Sequence, residues 1–166
     1  MEARAPQDGD GRVRPARPQE IDRVAALWGL ITDHHAGLDP LFRMRRGPVA
    51  EGELRELLRA IQRDPDAEIF VFDHGGTPEG LCIVRIDRAP PILEETERAE
   101  ISDVGVRPSF RRRGAARRLV EAAQSWVRER GVARIEIQVA RGNLEGQAFW
   151  RAMGYGPLMD VLHKRL

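Results

Sequence analysis

Lysine is nearly absent from this chain: of 27 basic residues among 166, only Lys164 is not arginine, so a single arginine carries little meaning by itself. Cysteine is limited to Cys82, which excludes a disulfide within the chain. Its apolar neighbours point to a buried thiol in a reducing, cytoplasmic setting rather than a reactive one. Aromatic residues are few, with Tyr155 the one tyrosine, and no basic stretch is interleaved with rings on which nucleic-acid bases could stack. No run of about 18 apolar residues could span a membrane. Residues 1–11 lack the hydrophobic segment of a signal peptide and read as a tail outside the fold. Net charge is +1, which excludes a global polyanion-binding surface and leaves any basic character local.

What remains is enough chain for one domain over residues 12–166, with a core of ordinary size. The pattern predicts a short strand over 12–16 and an amphipathic helix from about 19 to 33, on which Ile21, Val24, Ala25, Trp28 and Ile31 recur at helical spacing. A loop then runs from His34 to Pro48. A second helix spans about 50–63, with Leu54, Leu57, Leu58 and Ile61 on one face. Two strands, 68–73 and 80–87, flank the turn His74-Gly75-Gly76-Thr77-Pro78. A strand over 99–106, a helix over 114–130, a strand over 134–139, a short helix from Asn143 to Met153 and a closing strand over 158–166 complete the order. The strands 99–106 and 134–139 are joined through a helix and should be parallel, with a right-handed crossover.

The unusual stretch is Ile101–Leu119. Arg111, Arg112, Arg113, Arg117 and Arg118 crowd the start of a helix, with Arg107 upstream and no acid between 107 and 118. A helix N-terminus is already electropositive, and each exposed base there costs about 0.3–1 kcal/mol. A docked anion removes the conflict, and Gly114, Ala115 and Ala116 let its phosphates approach backbone N–H groups. A solvated basic helix start, or one touching nucleic acid, is the plainer alternative. The preceding strand argues for the anion. Ile101 falls on one face while Val104 and Val106 fall on the other, so the alternation slips by one residue, as at a β-bulge. Gly105 eases that irregularity.

Arg111-x-x-Gly114-x-Ala116, the strand before it, and Asn143…Ala148-Phe149-Trp150…Gly154-Tyr155 together resemble, in order and spacing, the GNAT superfamily of acyl-CoA-dependent N-acetyltransferases. The resemblance implies a mixed, mostly antiparallel α/β sheet flanked by helices, in which a parallel strand–helix–strand unit splays to hold CoA. It implies acetyl transfer from acetyl-CoA to a primary amine of a small molecule or protein, without a metal. It places the acetyl carbonyl at the Val104 N–H and the pantetheine arm along Gly105 and Val106. The pyrophosphate falls at Arg112, Arg113, Gly114, Ala115 and Ala116 with Arg111 bracing the loop, and Asn143 lies near the pantetheine. Asn143 also suits a helix cap.

Two carboxylates stand on the strand as candidate bases, Glu100 slightly ahead of Asp103. Glu100 matches the base of some histone-type members, and Asp103 matches an aspartate of some antibiotic-modifying ones. Three apart, they project from opposite faces of a regular strand, unless the slip brings them together. The implied acceptor site takes Trp28, His34, His35 and Phe42, with Asp33, Asp39, Glu94, Glu95 and Glu97 near its entrance; a solvated loop is the plainer reading of the same residues. Adjacent His34 and His35 lack partners at metal-ligand spacing, and His163 has no visible partner. One departure stands out: Trp150 occupies the place where many relatives carry the tyrosine that protonates the leaving thiolate, and Tyr155 suits core packing. That departure gives a second reading, a GNAT-like module that binds acyl-CoA without turning it over. A third, a nucleic-acid binder using 107–118, lacks an extended basic face. The closing strand, as a sheet edge, is a place where a homodimer could pair.

Overall fold

The computed structural model describes residues 11–166. Its strands are β1 (Arg12–Pro15), β2 (Ala67–His74), β3 (Thr77–Arg88), β4 (Glu97–Val106) and β5 (Ile135–Ile137). Its helices are α1 (Ile21–Leu38), α2 (Pro48–Arg63), α3 (Ala115–Glu129) and α4 (Leu144–Ala152). Among the described residues the strands form one sheet in the order β1-β2-β3-β4-β5, antiparallel except for the parallel pair β4/β5. The expected tail of residues 1–11 lies outside the described residues except Gly11. That residue is buried: a Cβ there would fall 2.2 Å from the Phe72 ring, so Gly11 packs against the sheet.

Each face of the sheet carries its own core. Amphipathic α3 lays Leu119, Val120, Ala123, Trp126 and Val127 onto one face, where they meet Phe70, Cys82, Val84, Ile101 and Trp150. Burying a large apolar side chain of this kind contributes about 1.5–3 kcal/mol. The opposite face takes Ile21, Val24, Leu27 and Ile31 of α1 and Leu58 of α2 against Ile69, Val71, Leu81 and Ile83. Leu57, expected on the inner face of α2, is instead exposed, because the helix meets the sheet through Leu54, Leu58 and Ile61. The β2–β3 turn uses Gly75 and Gly76 at φ 59° and 85°, the left-handed conformation a two-residue hairpin requires, and Asp73 accepts the Gly76 N–H at 2.8 Å.

Three expectations are corrected. Pro18–Glu20 forms a single 3₁₀ turn, braced by the Glu20 carboxylate on the Arg17 N–H, so α1 begins at Ile21. At its far end α1 runs on to Leu38, so His34 and His35 are helical rather than in a loop. Asp39 stops it and caps a short 3₁₀ turn at Pro40–Phe42, accepting the Leu41 N–H at 2.8 Å. Finally, residues 158–166 form no strand: they carry no ladder hydrogen bonds, and their apolar side chains are exposed. Among the described residues no helix is long and apolar enough to cross a membrane.

Candidate active site

The site begins with one extra residue in β4. Asp103 stands opposite Ile83 and Ile101 opposite Val84, so Ser102 is inserted between successive pairs. This is the bulge that the slipped alternation predicts. Ala99 and Ile101 before it, and Val104 and Val106 after it, all share the α3 face. Glu100, Asp103 and Gly105 are therefore turned to the α1 face together; Gly105 confirms the direction, since a Cβ on it would lie 2.3 Å from Ile31 Cγ1. The two candidate carboxylates, opposed on a regular strand, share a face here.

The bulge also redirects the backbone. Ala99 donates its N–H to Arg134 O at 2.8 Å, toward β5, whereas Arg107 donates to Glu79 O at 2.9 Å, toward β3. Alternation back from Arg107 turns the Gly105 N–H toward β3 and the Val104 and Val106 N–H groups toward the β5 side. Yet β5 pairs only with Ala99–Ile101 and then diverges. The edge of β4 beyond Ile101 is thus an open row of donors and acceptors lying between two separating strands, which suits an extended amide-bearing ligand.

At the end of that edge lies the arginine loop. Arg112 is the one non-glycine residue at positive φ among the described residues, 58°, and Gly114 follows at 79°. Two left-handed residues two apart curl the backbone, and Gly114 caps α3 without a side-chain hydrogen bond, so the first N–H groups of the helix face outward. This is the geometry of an anion cradle. Several of the nearby arginines have partners within the chain. Arg111 braces the loop by donating to Val106 O at 3.3 Å, and Arg112 reaches Glu145 at the start of α4, at 3.2 Å. Arg107 pairs with Glu79 at 3.2 Å, and the Arg118 guanidinium lies 5.6 Å from the Phe72 ring centre. Asn143 caps α4, accepting the Gly146 N–H at 2.9 Å.

On the α1 face, Asp103 is half-buried beneath Trp28 and His35, which stand two turns apart on α1. Burial raises its carboxyl above the ordinary aspartate range; hydrogen bonds from Ser102, at 2.8 Å, and Trp28, together with His35, pull the other way, and Glu100 adds to the rise. Burial and neighbouring His34 push His35 below the usual imidazole value, against the pull of Asp103. Phe42 covers His35 at 5.8 Å between ring centres. His34 is exposed and does not join this group.

Glu100 has a different setting: Arg85 holds it at 2.7 Å. Sequence reasoning missed Arg85, which a β3–β4 register alone could reveal. Three of the acids expected at the entrance are also engaged in ion pairs. Asp33 pairs with Arg46 at 2.6 Å, Glu95 with Arg134 at 2.9 Å and Glu97 with Arg88 at 3.1 Å. Trp150 is buried in the core, with Phe149 and Tyr155 edge-on at 5.1 and 4.9 Å, and the Tyr155 hydroxyl accepts a 3.3 Å hydrogen bond from Gln124. Cys82 is fully buried, and burial drives its thiol well above the ordinary value. Among the described residues no cluster of three or more His, Cys, Asp or Glu is placed to hold a metal ion.

Comparison with known proteins agrees with this architecture. The Acetyltransferase (GNAT) family matches residues 36–155. Among solved structures, a tetramutant of the BH1408 protein from Bacillus halodurans is 21% identical with a TM-score of 0.80, covering 93% of this chain and 99% of that one. A transcriptional regulator from Bacillus halodurans C-125 is 20% identical with a TM-score of 0.74, covering 94% and 99%. The aminoglycoside N-acetyltransferase AAC(6')-Iy, solved with CoA, is 18% identical with a TM-score of 0.76, covering 98% of each chain. No curated protein matches. With its splayed β4/β5 pair, its arginine loop and a family match over most of its length, the chain belongs to the GNAT family of acetyltransferases.

Proposed function

We propose that this protein transfers the acetyl group of acetyl-CoA to a primary amine of a small molecule, with Asp103 as the base. The observation that carries the reading is the bulge at Ser102, which puts a half-buried carboxylate and an open backbone edge at one point of β4. CoA-bound relatives support the cofactor, and aminoglycoside acetyltransferases among the similar structures support a small-molecule acceptor.

In this mechanism the curled loop from Arg112 to Ala116 takes the pyrophosphate and the β4 edge takes the pantetheine. The Val104 N–H polarises the thioester carbonyl, a fixed donor aimed at developing negative charge. An alkylammonium loses its proton near pH 10.4 in water. Asp103 accepts the amine proton, directly or through one water, a contribution of about 10²–10⁴-fold. The C–N bond forms, the C–S bond breaks, and the departing thiolate takes a proton from water, since Tyr155 is turned to Gln124. Glu100, tied to Arg85, orients the cationic acceptor and serves as the alternative base. Trp28, His35 and Phe42 shape the acceptor pocket.

Acetyl-CoA is expected to raise the melting temperature, and free thiol is expected only when a panel of amines includes the acceptor. Buried Trp150 in place of the usual phenol favours a second reading, an acyl-CoA-binding module without turnover. Tight acetyl-CoA binding with no thiol released across the panel would establish that one instead.

A further inference from the structure

The face of the sheet that carries Asp103 is not covered to its end. Ile31, His35 and Leu38 follow one another at helical spacing on the stripe of α1 that faces the sheet. Exposure climbs along that stripe, from 8% at Ile31 to 36% at Leu38, so the helix runs past the strands it packs on. Just beyond it Leu41 and Phe42 are also exposed, and the Phe42 ring lies 5.8 Å from that of His35. Trp28 stands on the other side and donates a hydrogen bond to Asp103. Three rings therefore gather at one carboxylate, with two exposed leucines outside them. Ring faces attract a cation, and an apolar wall favours an uncharged body.

The floor beside that carboxylate is charged but balanced. Register puts Arg85 opposite Glu100, Glu100 opposite Glu136 and Asp87 opposite Arg98, all on the α1 face. Arg85 lies 2.7 Å from Glu100 and 3.4 Å from Asp87. Arg98 lies 3.6 Å from Asp87 and also pairs with Glu136, and Arg134 ends the row 2.7 Å from Glu136. Three guanidiniums thus answer three carboxylates. Asp103 differs: its hydrogen-bond partners are the neutral donors Ser102, at 2.8 Å, and Trp28. One ammonium on an acceptor needs only Asp103, whereas a second would have to displace an arginine.

We propose that the acceptor is a monoamine with an aromatic or alkyl body, and that polycationic amines, aminoglycosides among them, are poor substrates. This assignment rests on the acetyl-transfer reading of the site. The ammonium sits between Asp103 and the rings of Trp28 and His35, with Glu100 close by but already neutralised by Arg85. The apolar body lies along Leu38, Leu41 and Phe42.

Thiol release from acetyl-CoA at steady state compares phenethylamine and tryptamine with spermidine and kanamycin. The value of kcat/KM is expected to be higher for the first pair by about tenfold or more, mainly through KM. The melting temperature of the CoA-loaded chain, which needs no turnover, is expected to rise with phenethylamine and to stay unchanged with kanamycin. Leu38→Asn combined with Leu41→Asn, both exposed positions, is expected to raise KM for phenethylamine severalfold. Arg85→Gln, which frees Glu100, is expected to lower KM for spermidine. With thiol released, equal or better turnover of spermidine or kanamycin, an equal melting rise with kanamycin, or unchanged KM values in both variants would overturn the monoamine assignment and leave acetyl transfer standing. A melting rise with phenethylamine but no thiol from any amine would overturn acetyl transfer and keep the apolar monoamine as the ligand. Neither thiol nor a melting rise would overturn both.

Discussion

Ile31 packs where a side chain at Gly105 would be: a Cβ on the glycine falls 2.3 Å from Ile31 Cγ1 and 2.7 Å from its Cδ1. The contact fixes how closely α1 lies on β4, and α1 carries Trp28 and His35 over Asp103. Gly105→Ala therefore forces the helix outward, at about 1–3 kcal/mol for an overpacked core, and lowers acetyl transfer more than acetyl-CoA binding. Adding Ile31→Ala to Gly105→Ala recovers part of the activity. The test is a double-mutant cycle in melting temperature and turnover: coupling is expected, and additive losses would show that the two residues do not constrain one another.

Asp103 links the site to pH. Its folded-state value is raised, so between the ordinary aspartate range and that raised value the native state binds more protons than the unfolded chain. Its contribution to stability is greatest in acid and falls as pH rises through that window. At neutral pH the ionised carboxylate is a net cost. Asp103→Asn is expected to raise the melting temperature at pH 7, by about 2–4 °C for each kcal/mol relieved, with the gain shrinking toward acid. An equal or lower melting temperature at pH 7 would count against a carboxylate held at a cost.

The arginine loop gives a separable outcome. Gly114 at φ 79° accepts a side chain only with strain, about 1 kcal/mol. Gly114→Ala is expected to lower the melting temperature modestly and to raise KM for acetyl-CoA severalfold, with little change in KM for the amine. Equal effects on both would assign the loop to folding alone.

Far from the site, a buried ion cluster holds β1 to the rest. Arg14 pairs at 2.6 Å with Glu20 and at 2.6 Å with Asp73, whose carboxylate is 4% exposed. Against the cost of burial, Arg14 and the Gly76 N–H hold Asp73 below the ordinary aspartate value. Its contribution is present above that ordinary value and is lost as pH falls through the lowered one. Arg14→Met leaves the charge unpaired, and about 3–5 kcal/mol is expected to be lost in denaturant unfolding. Combining it with Asp73→Asn recovers much of the loss; no recovery would mean that packing of the Arg14 stem, not its charge, matters.

Local pattern revealed most of this architecture. The helical spacing of Leu119, Val120, Ala123, Trp126 and Val127, the slipped alternation from Ile101 to Val104, and the arginines around Gly114 are all properties of neighbouring residues. What the sequence hid depends on register. Pairing of Glu100 with Arg85 joins residues on adjacent strands, and it distinguishes two acids that the sequence treats alike. The entrance carboxylates read as an acidic lure until their arginine partners are in place. His34–Leu38 read as loop because Gly37 and Asp39-Pro40 signal a break, while burial of Ile31 and His35 against β4 carries α1 five residues further, to Leu38. The closing strand failed for another reason: a strand pattern needs a partner edge to become a strand, and residues 158–166 make no ladder hydrogen bonds, their large apolar side chains lying exposed.

The most direct test is the pH dependence of kcat/KM for wild type, Glu100→Gln and Asp103→Asn with one accepted amine. Asp103→Asn is expected to lose about 10²–10⁴-fold together with the acidic limb of the profile, while Glu100→Gln keeps the limb. Full turnover by Asp103→Asn across the series, with the acidic limb intact, would contradict the account.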